Sequence, residues 1–264
     1  MINQRQVHVP GACLQVETQG DGEVVVLLHG FAGDRRSWDG FWSDLAQERR
    51  VIRYDLRGFG ESVDLDQRPF RHTGDLAALL DALRIERCAL VGVSMGGAIA
   101  LNFALEHPER VRRLALVSPG LVAWEWSDDW RSAWRPIVDA ARSGNLAAAR
   151  ELWWRHPLFD TTRADPRAAA KLRESIDAYS GSHWAQGDNE APAMPDVDRV
   201  SLLAPETLLL TGSADLPDFR LIADLIEAVA PNVRRIEYDG AGHMLHLERP
   251  QAFAADMRAF LTTS

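Results

Sequence analysis

Hydrophobic positions along the chain follow two rhythms that alternate. From Val24 to His29 the run VVVLLH is continuously apolar and rich in β-branched residues, and Gly30 ends it. Such a run suits a strand buried on both faces of a parallel sheet. Runs of the same character recur at Val51-Ile52-Arg53-Tyr54, from Cys88 to Val91, from Leu114 to Val117, from Thr207 to Leu210 and from Arg235 to Tyr238. Between them the period becomes that of a helix: Leu76, Leu79, Leu80 and Leu83 fall at i, i+3, i+4 and i+7, and Ile99 with Phe103 continues the style. Ile222, Leu225, Ile226 and Val229 repeat it, and a last helix starts at Pro250 and buries Phe253, Met257 and Phe260. Strands alternating with helices predict right-handed βαβ units, hence a mostly parallel central sheet flanked by helices.

After Pro119 the rhythm changes for about 75 residues, too long a stretch for a structureless loop. It turns helical, with Trp130, Trp134, Ile137 and Ala141 on one face and Leu172, Ile176 and Tyr179 on another, behind an Asp165-Pro166 helix start. Pro192 and Pro195 close it. The pattern predicts one α/β core domain over 1–119 and 196–264, interrupted by a helical cap over 120–195.

Composition narrows the partners. The chain has 264 residues, 46% of them hydrophobic and 25% charged, with a formal net charge of −9. That balance is ordinary for a globular protein and lacks the clustered basic surface that nucleic acid or an anionic membrane would want. Arg112-Arg113 and Arg234-Arg235 read as strand flanks. Cys13 and Cys88 are far apart with no CxxC, no apolar run reaches membrane-helix length, and the first residues lack a signal-peptide core. The expectation is a cytoplasmic protein with no nucleic-acid or membrane partner; the oligomeric state is not legible.

Chemistry concentrates first at Gly92-Val93-Ser94-Met95-Gly96, a G-x-S-x-G with a strand before it and a helix after it. A serine there is either a nucleophile on a sharp turn or a small residue where a helix passes close to a sheet. Small residues two positions either side suit the first reading, because larger side chains would collide with neighbouring elements. The helix N-terminus under Ser94 also offers free N–H groups to a developing oxyanion, that of Met95 foremost. A serine hydroxyl needs a base and a group that orients the base. Asp215 follows the strand ending at Leu210, and His243 follows the strand ending at Tyr238. Both lie beyond C-terminal strand ends, where open α/β sheets place their sites.

With these residues in order, the chain resembles an α/β-hydrolase of the capped, esterase and lactonase-like kind. The matching segments are His29-Gly30-Phe31, the stretch from Asp55 to Ser62, the turn around Ser94, Asp215 in Gly-x-x-Asp, and His243 in Gly-His-Met-Leu-His-Leu-Glu-Arg-Pro. The resemblance implies an α/β-hydrolase fold with its cap inserted after the sixth strand, a Ser94-His243-Asp215 triad and an oxyanion hole from the backbone N–H groups of Phe31 and Met95. It implies no cofactor, and no HExxH, CxxC or His/Asp cluster marks a metal site. His246, one helical turn beyond His243, is a rival base, and Glu125 a rival acid; Asp218 reads as a loop acid and Asp239 as a turn former. Dehalogenases and most epoxide hydrolases of this fold place Asp at the elbow, and Ser94 sets them aside. Enol-lactonases, ring-cleavage C–C hydrolases and cofactor-free perhydrolases remain similar, although C–C hydrolases often carry Asn where Val93 stands. A ligand sensor that keeps the fold and triad is an alternative of another class.

The resemblance points to a small-molecule ester or lactone as substrate, and the cap refines its character. Seven of the nine tryptophans, Trp124, Trp126, Trp130, Trp134, Trp153, Trp154 and Trp184, fall in it. They either glue short helices to the core or line a pocket for a hydrophobic or aromatic group. Trp38 and His29 join them as pocket candidates, and Arg131, Arg135, Arg150 and Arg155 as anchors for a substrate carboxylate.

Overall fold

The protein was analysed as a computed structural model that describes residues 2–187 and 189–262. Strands β1 (Asn3–Val9), β2 (Ala12–Gln19), β3 (Val24–Leu28), β4 (Arg50–Tyr54), β5 (Val63–Asp64), β6 (Cys88–Val93), β7 (Val111–Val117), β8 (Glu206–Gly212) and β9 (Val233–Tyr238) form one sheet. Its order is β1-β2-β4-β3-β6-β7-β8-β9, with β5 paired to β2. From β4 through β3, β6, β7 and β8 to β9 every pairing is parallel; β2 pairs antiparallel with β1, β4 and β5. The strand ahead of the long helical segment is thus seventh in chain order, because the short β5 intervenes. β1, β2 and β5 lie outside the runs read from the sequence; most of β1 is exposed.

The central strands bury both faces, and their alternation sorts the core into two layers. Val26, Leu28, Leu90, Leu114, Leu116 and Leu209 belong to one apolar cluster, whereas Val25, Leu27, Val91, Ala115, Val117, Leu208 and Leu210 belong to the other. Helices α2 (His72–Ala82), α3 (Met95–Glu106) and α9 (Pro217–Val229) cover the first through Leu76, Leu79, Ile99, Phe103, Ile222 and Ile226. Helices α1 (Trp42–Leu45), α10 (Leu245–Glu248) and α11 (Pro250–Thr262) cover the second through Trp42, Leu245, Phe253, Met257 and Phe260. Val229 is exposed rather than on the buried face, since it ends α9. Full burial of side chains this size contributes about 1.5–3 kcal/mol each.

Helices α4 (Asp128–Arg142), α5 (Leu146–Trp154), α6 (Asp160–Ala164), α7 (Pro166–Ala178) and α8 (Ser182–Gln186) lie between β7 and β8. Asp165 caps α7, accepting from the N–H groups of Arg167 and Ala168, with Pro166 at the first helical position where a missing N–H costs nothing. Ser127 caps α4 by accepting from the Trp130 N–H. Asp218 at the start of α9 receives the Ser127 N–H and hydroxyl and the Trp124 indole N–H, tying α4 back to the sheet layer.

Candidate active site

Ser94 stands between β6 and α3 with φ 54° and ψ −115°. A non-glycine residue there carries strain of about 1–3 kcal/mol that the surroundings must hold in place. They do so closely. A Cβ on Gly92 would lie 2.2 Å from the Gly96 carbonyl oxygen, and one on Gly96 would lie 2.4 Å from that of Leu28. Ser94 N–H donates to the Val117 carbonyl at 2.9 Å, and Ser94 C=O accepts from Gly120 at 3.1 Å. Sequence composition and sheet topology together hold the serine at the C-terminal edge of the central strands.

The loop after β3 faces it. His29 is fully buried, and burial holds its pKa below the usual histidine range, so the ring is neutral. Its Nε2 accepts from the Leu56 N–H at 3.0 Å, which leaves the proton on Nδ1 to be donated to the Gly30 carbonyl at 2.8 Å. That carbonyl belongs to the same peptide plane as the Phe31 N–H, so His29 fixes the direction of the latter. Arg35 carries on the support, giving its N–H and guanidinium to Asp55 and its remaining donors to Glu17 and Glu61. Among the described residues neither Phe31 N–H nor Met95 N–H has an acceptor.

On the other side, His243 Nδ1 lies 2.9 Å from Asp215 Oδ2 and 3.2 Å from Oδ1. The loops that carry them abut: a Cβ on Gly212 would sit 2.3 Å from the carbonyl oxygens of Ala241 and Gly242. Asp215 Oδ1 also accepts from the Leu216 N–H at 2.7 Å. The His243 ring rests on Phe219, and its Nε2 is buried with no hydrogen-bond partner among the described residues.

Ser94, Met95, Gly30, Phe31 and His243 all line one cavity of about 460 Å³. Its remaining walls are largely apolar and aromatic. Trp126, Trp130, Trp134 and Trp153 line it as the tryptophan-rich stretch suggests, together with Leu172 and Ile176 from α7. Trp126 and Trp130 stack at 4.4 Å, and the Phe31 ring packs edge-on against Trp134 at 5.2 Å.

Other pocket candidates lie elsewhere. Trp38 is wholly buried under the opposite face of the sheet, against His246 and Phe253, because the turn after Asp34 aims it away from the cavity. His29 sits beneath the loop rather than in the cavity wall. Trp184 fills the space behind Phe31, packing on Tyr179 at 4.7 Å. Trp124 serves Asp218, and Trp154 lies under the guanidinium groups of Arg163 and Arg173. Glu125 is exposed, so Asp215 is the carboxylate that reaches His243.

Arg131 lines the cavity but is engaged with Asp128 and the Trp126 carbonyl. Arg135 and Arg155 pair with Asp139 and Glu151, and Arg150 donates to the Tyr179 carbonyl. His246 lines a second cavity of about 220 Å³ that shares Ser37, Leu172, Ser175 and Met244 with the first. Burial pushes its pKa down to about 3.

Several cavity residues escaped sequence reasoning, among them Leu121, Leu158, Phe159, Phe219 and Met244. Phe219 is in the first turn of α9, shortly after Asp215, and Met244 follows His243; for these two, adjacency to the acid and base was the available signal. Among the described residues no group of three or more His, Cys, Asp or Glu side chains is arranged to hold a metal ion, and no helix is long and apolar enough to cross a membrane.

Known proteins share this arrangement of chain. A Bacillus subtilis (strain 168) protein provisionally named 2-succinyl-6-hydroxy-2,4-cyclohexadiene-1-carboxylate synthase is 31% identical over 91% of both chains. The 2-hydroxy-6-oxo-2,4-heptadienoate hydrolase of Pseudomonas putida F1 is 29% identical over 97% of this chain and 95% of its own. The crystal structure of the enol-lactonase from Burkholderia xenovorans LB400 superposes with a TM-score of 0.83 at 25% identity, covering 98% of this chain and 100% of that one. Residues 23–250 match the family described as the alpha/beta hydrolase fold, and the chain belongs to that family.

Proposed function

We propose that the protein hydrolyses carboxylic esters or lactones of modest size with a hydrophobic or aromatic group, through an acyl-enzyme on Ser94. The observation that carries this reading is the convergence of a strained Ser94, the unpartnered Nε2 of an Asp215-bound His243, and two unengaged N–H groups on one aromatic-walled cavity.

With its Nδ1 proton held by Asp215, His243 presents a basic Nε2 to the cavity. It takes the Ser94 proton as Oγ attacks the substrate carbonyl, and Asp215 stabilises the imidazolium that forms. Phe31 and Met95 N–H groups receive the oxyanion, at the positive end of α3. His243 then protonates the leaving alcohol, which in a lactone stays tethered to the acyl group. Water activated by the same nitrogen releases the acid and regenerates Ser94. The enol-lactonase likeness and the apolar walls favour this class, and the buried, unpaired Cys13 and Cys88 suit a cytoplasmic setting.

A second reading, hydrolysis of a C–C bond in a ring-cleavage product, is favoured by the Pseudomonas putida relative. It uses the same three side chains, with a ketone in place of the ester. A panel of p-nitrophenyl esters, lactones and vinylogous diketones separates the two by relative kcat/KM. Ser94→Ala is expected to lower hydrolysis of a short p-nitrophenyl ester by about 10⁴-fold or more. A variant within about tenfold of the parent would overturn the nucleophile assignment.

A further inference from the structure

Glu248 ends α10, five residues beyond His243, and is buried. Among the described residues its carboxyl oxygens meet no cationic side chain, only hydrogen-bond donors. Oε2 accepts from the Gly242 N–H at 2.7 Å, and Oε1 lies 3.3 Å from the Met244 N–H. These N–H groups belong to the residues on either side of His243. The same Oε1 accepts the hydroxyls of Thr162 at 2.6 Å and Thr161 at 3.0 Å, both from α6 in the helical segment over the cavity.

The contact with α6 is also steric. A Cβ on Gly242 would fall 1.9 Å from the Thr161 hydroxyl, so α6 rests directly on the residue before His243. A buried carboxylate is expensive unless its oxygens are satisfied, and an apolar side chain of similar size would fill this space at lower cost. Satisfying the carboxylate here ties α6 to the loop that carries His243.

We propose that Glu248 is a positioning residue that sets the attitude of His243 and couples it to α6, so that the helical segment and the proton-transferring imidazole move as one piece. Oε2 and Oε1 clamp the backbone on both sides of position 243. The two threonine hydroxyls make the clamp depend on where α6 lies. This inference rests on His243 acting as the base toward Ser94.

The test compares Glu248→Gln, Thr161→Val/Thr162→Val and their combination in the full chain. Each is assayed on a p-nitrophenyl ester and titrated with a fluorophosphonate to count competent Ser94 sites. The glutamine is isosteric but gives up one acceptor, and its amide would set a donor against another donor. Expected is a fall in kcat per titrated site of about 10- to 100-fold with KM within about threefold, because a small misplacement of a catalytic group acts on the chemical step. The threonine variant should lose less, and the combination should lose no more than Glu248→Gln alone.

A Glu248→Gln kcat per site within about twofold of the parent overturns the positioning role, whether or not less protein folds. Losses that simply multiply in the combination overturn the coupling to α6. If instead Ser94→Ala or His243→Ala retains turnover, it is the acyl-enzyme reading that has failed, and the two failures are distinguishable.

Discussion

Gly96 shows how little freedom the residues beneath the serine have. A methyl group there meets two backbone carbonyls, those of Leu28 and His29, at 2.4 and 2.5 Å, and neither can rotate away. Gly96→Ala is expected to cost about 3 kcal/mol or more in urea denaturation and to lose most activity, since relief requires the elbow to shift. Near-parental stability and rate would mean the close approach is not as tight as described. At the same scale, His29 works through a single tautomer: its two hydrogen bonds aim a peptide plane, not a side chain, at the cavity. Ser94, Asp215 and His243 were legible in the sequence because each sits in a short motif just past a strand, where chain position and spatial position coincide. Glu248 stands in the segment around His243, but nothing in the sequence singles it out, because its partners Thr161 and Thr162 lie far away along the chain.

Among the elements, helix α4 presents Trp130 and Trp134 to the cavity while Ile137 and Ala141 are buried farther along the same face. Trp134→Ala removes a wall that also braces Phe31. It should raise KM for an aromatic ester several-fold more than for an acetate ester, at the scale of about 1–3 kcal/mol for lost apolar contact. Equal effects on both esters would assign Trp134 to packing alone. The periodicity of α4 and α7 identified which side chains share a face. It does not say which neighbour that face meets. This is why Trp38 and Trp184, although aromatic and close in sequence to the loop or within the tryptophan-rich stretch, were assigned to the cavity and lie behind it or across the sheet. Proximity in sequence to a functional loop fixes distance along the chain, whereas the turn after Asp34 directs Trp38 into the opposite layer, against Phe253.

For the molecule as a whole, the two-layered core imposes a dependence on pH. His72 and His246 are buried in its layers and His156 against Trp130 and Trp153 of the helical segment, and burial pushes their pKa values down to about 3, about 3 and about 4. The ordinary value is 6.5. The unfolded chain therefore binds protons that the folded chain refuses as pH falls below the ordinary value, so stability declines through that window and is untouched above it. Asp55, Asp75 and Asp196, held above the usual carboxylate range by burial, act in the opposite sense further towards acid. Melts between about pH 7 and pH 5 thus read the histidines. Among the described residues both ring nitrogens of His246 lack partners, and its ring lies on Trp38 and Phe253. His246→Phe is expected to match the parent at neutral pH and to remove up to about 1.4 kcal/mol of acid loss per pH unit. An unchanged slope would show that His246 does not contribute.

The elbow at Ser94 has a consequence for how the protein tolerates change. Its backbone occupies a region that only glycine enters without penalty, yet glycine there would delete the oxygen to which we assign the attack on substrate. Stability and turnover are therefore opposed at that one position, and drift that improves folding will tend to erase function there. Gains in robustness have to come from places the reaction does not touch, such as the sheet edges and exposed helix faces, where they add folding reserve without relaxing the turn.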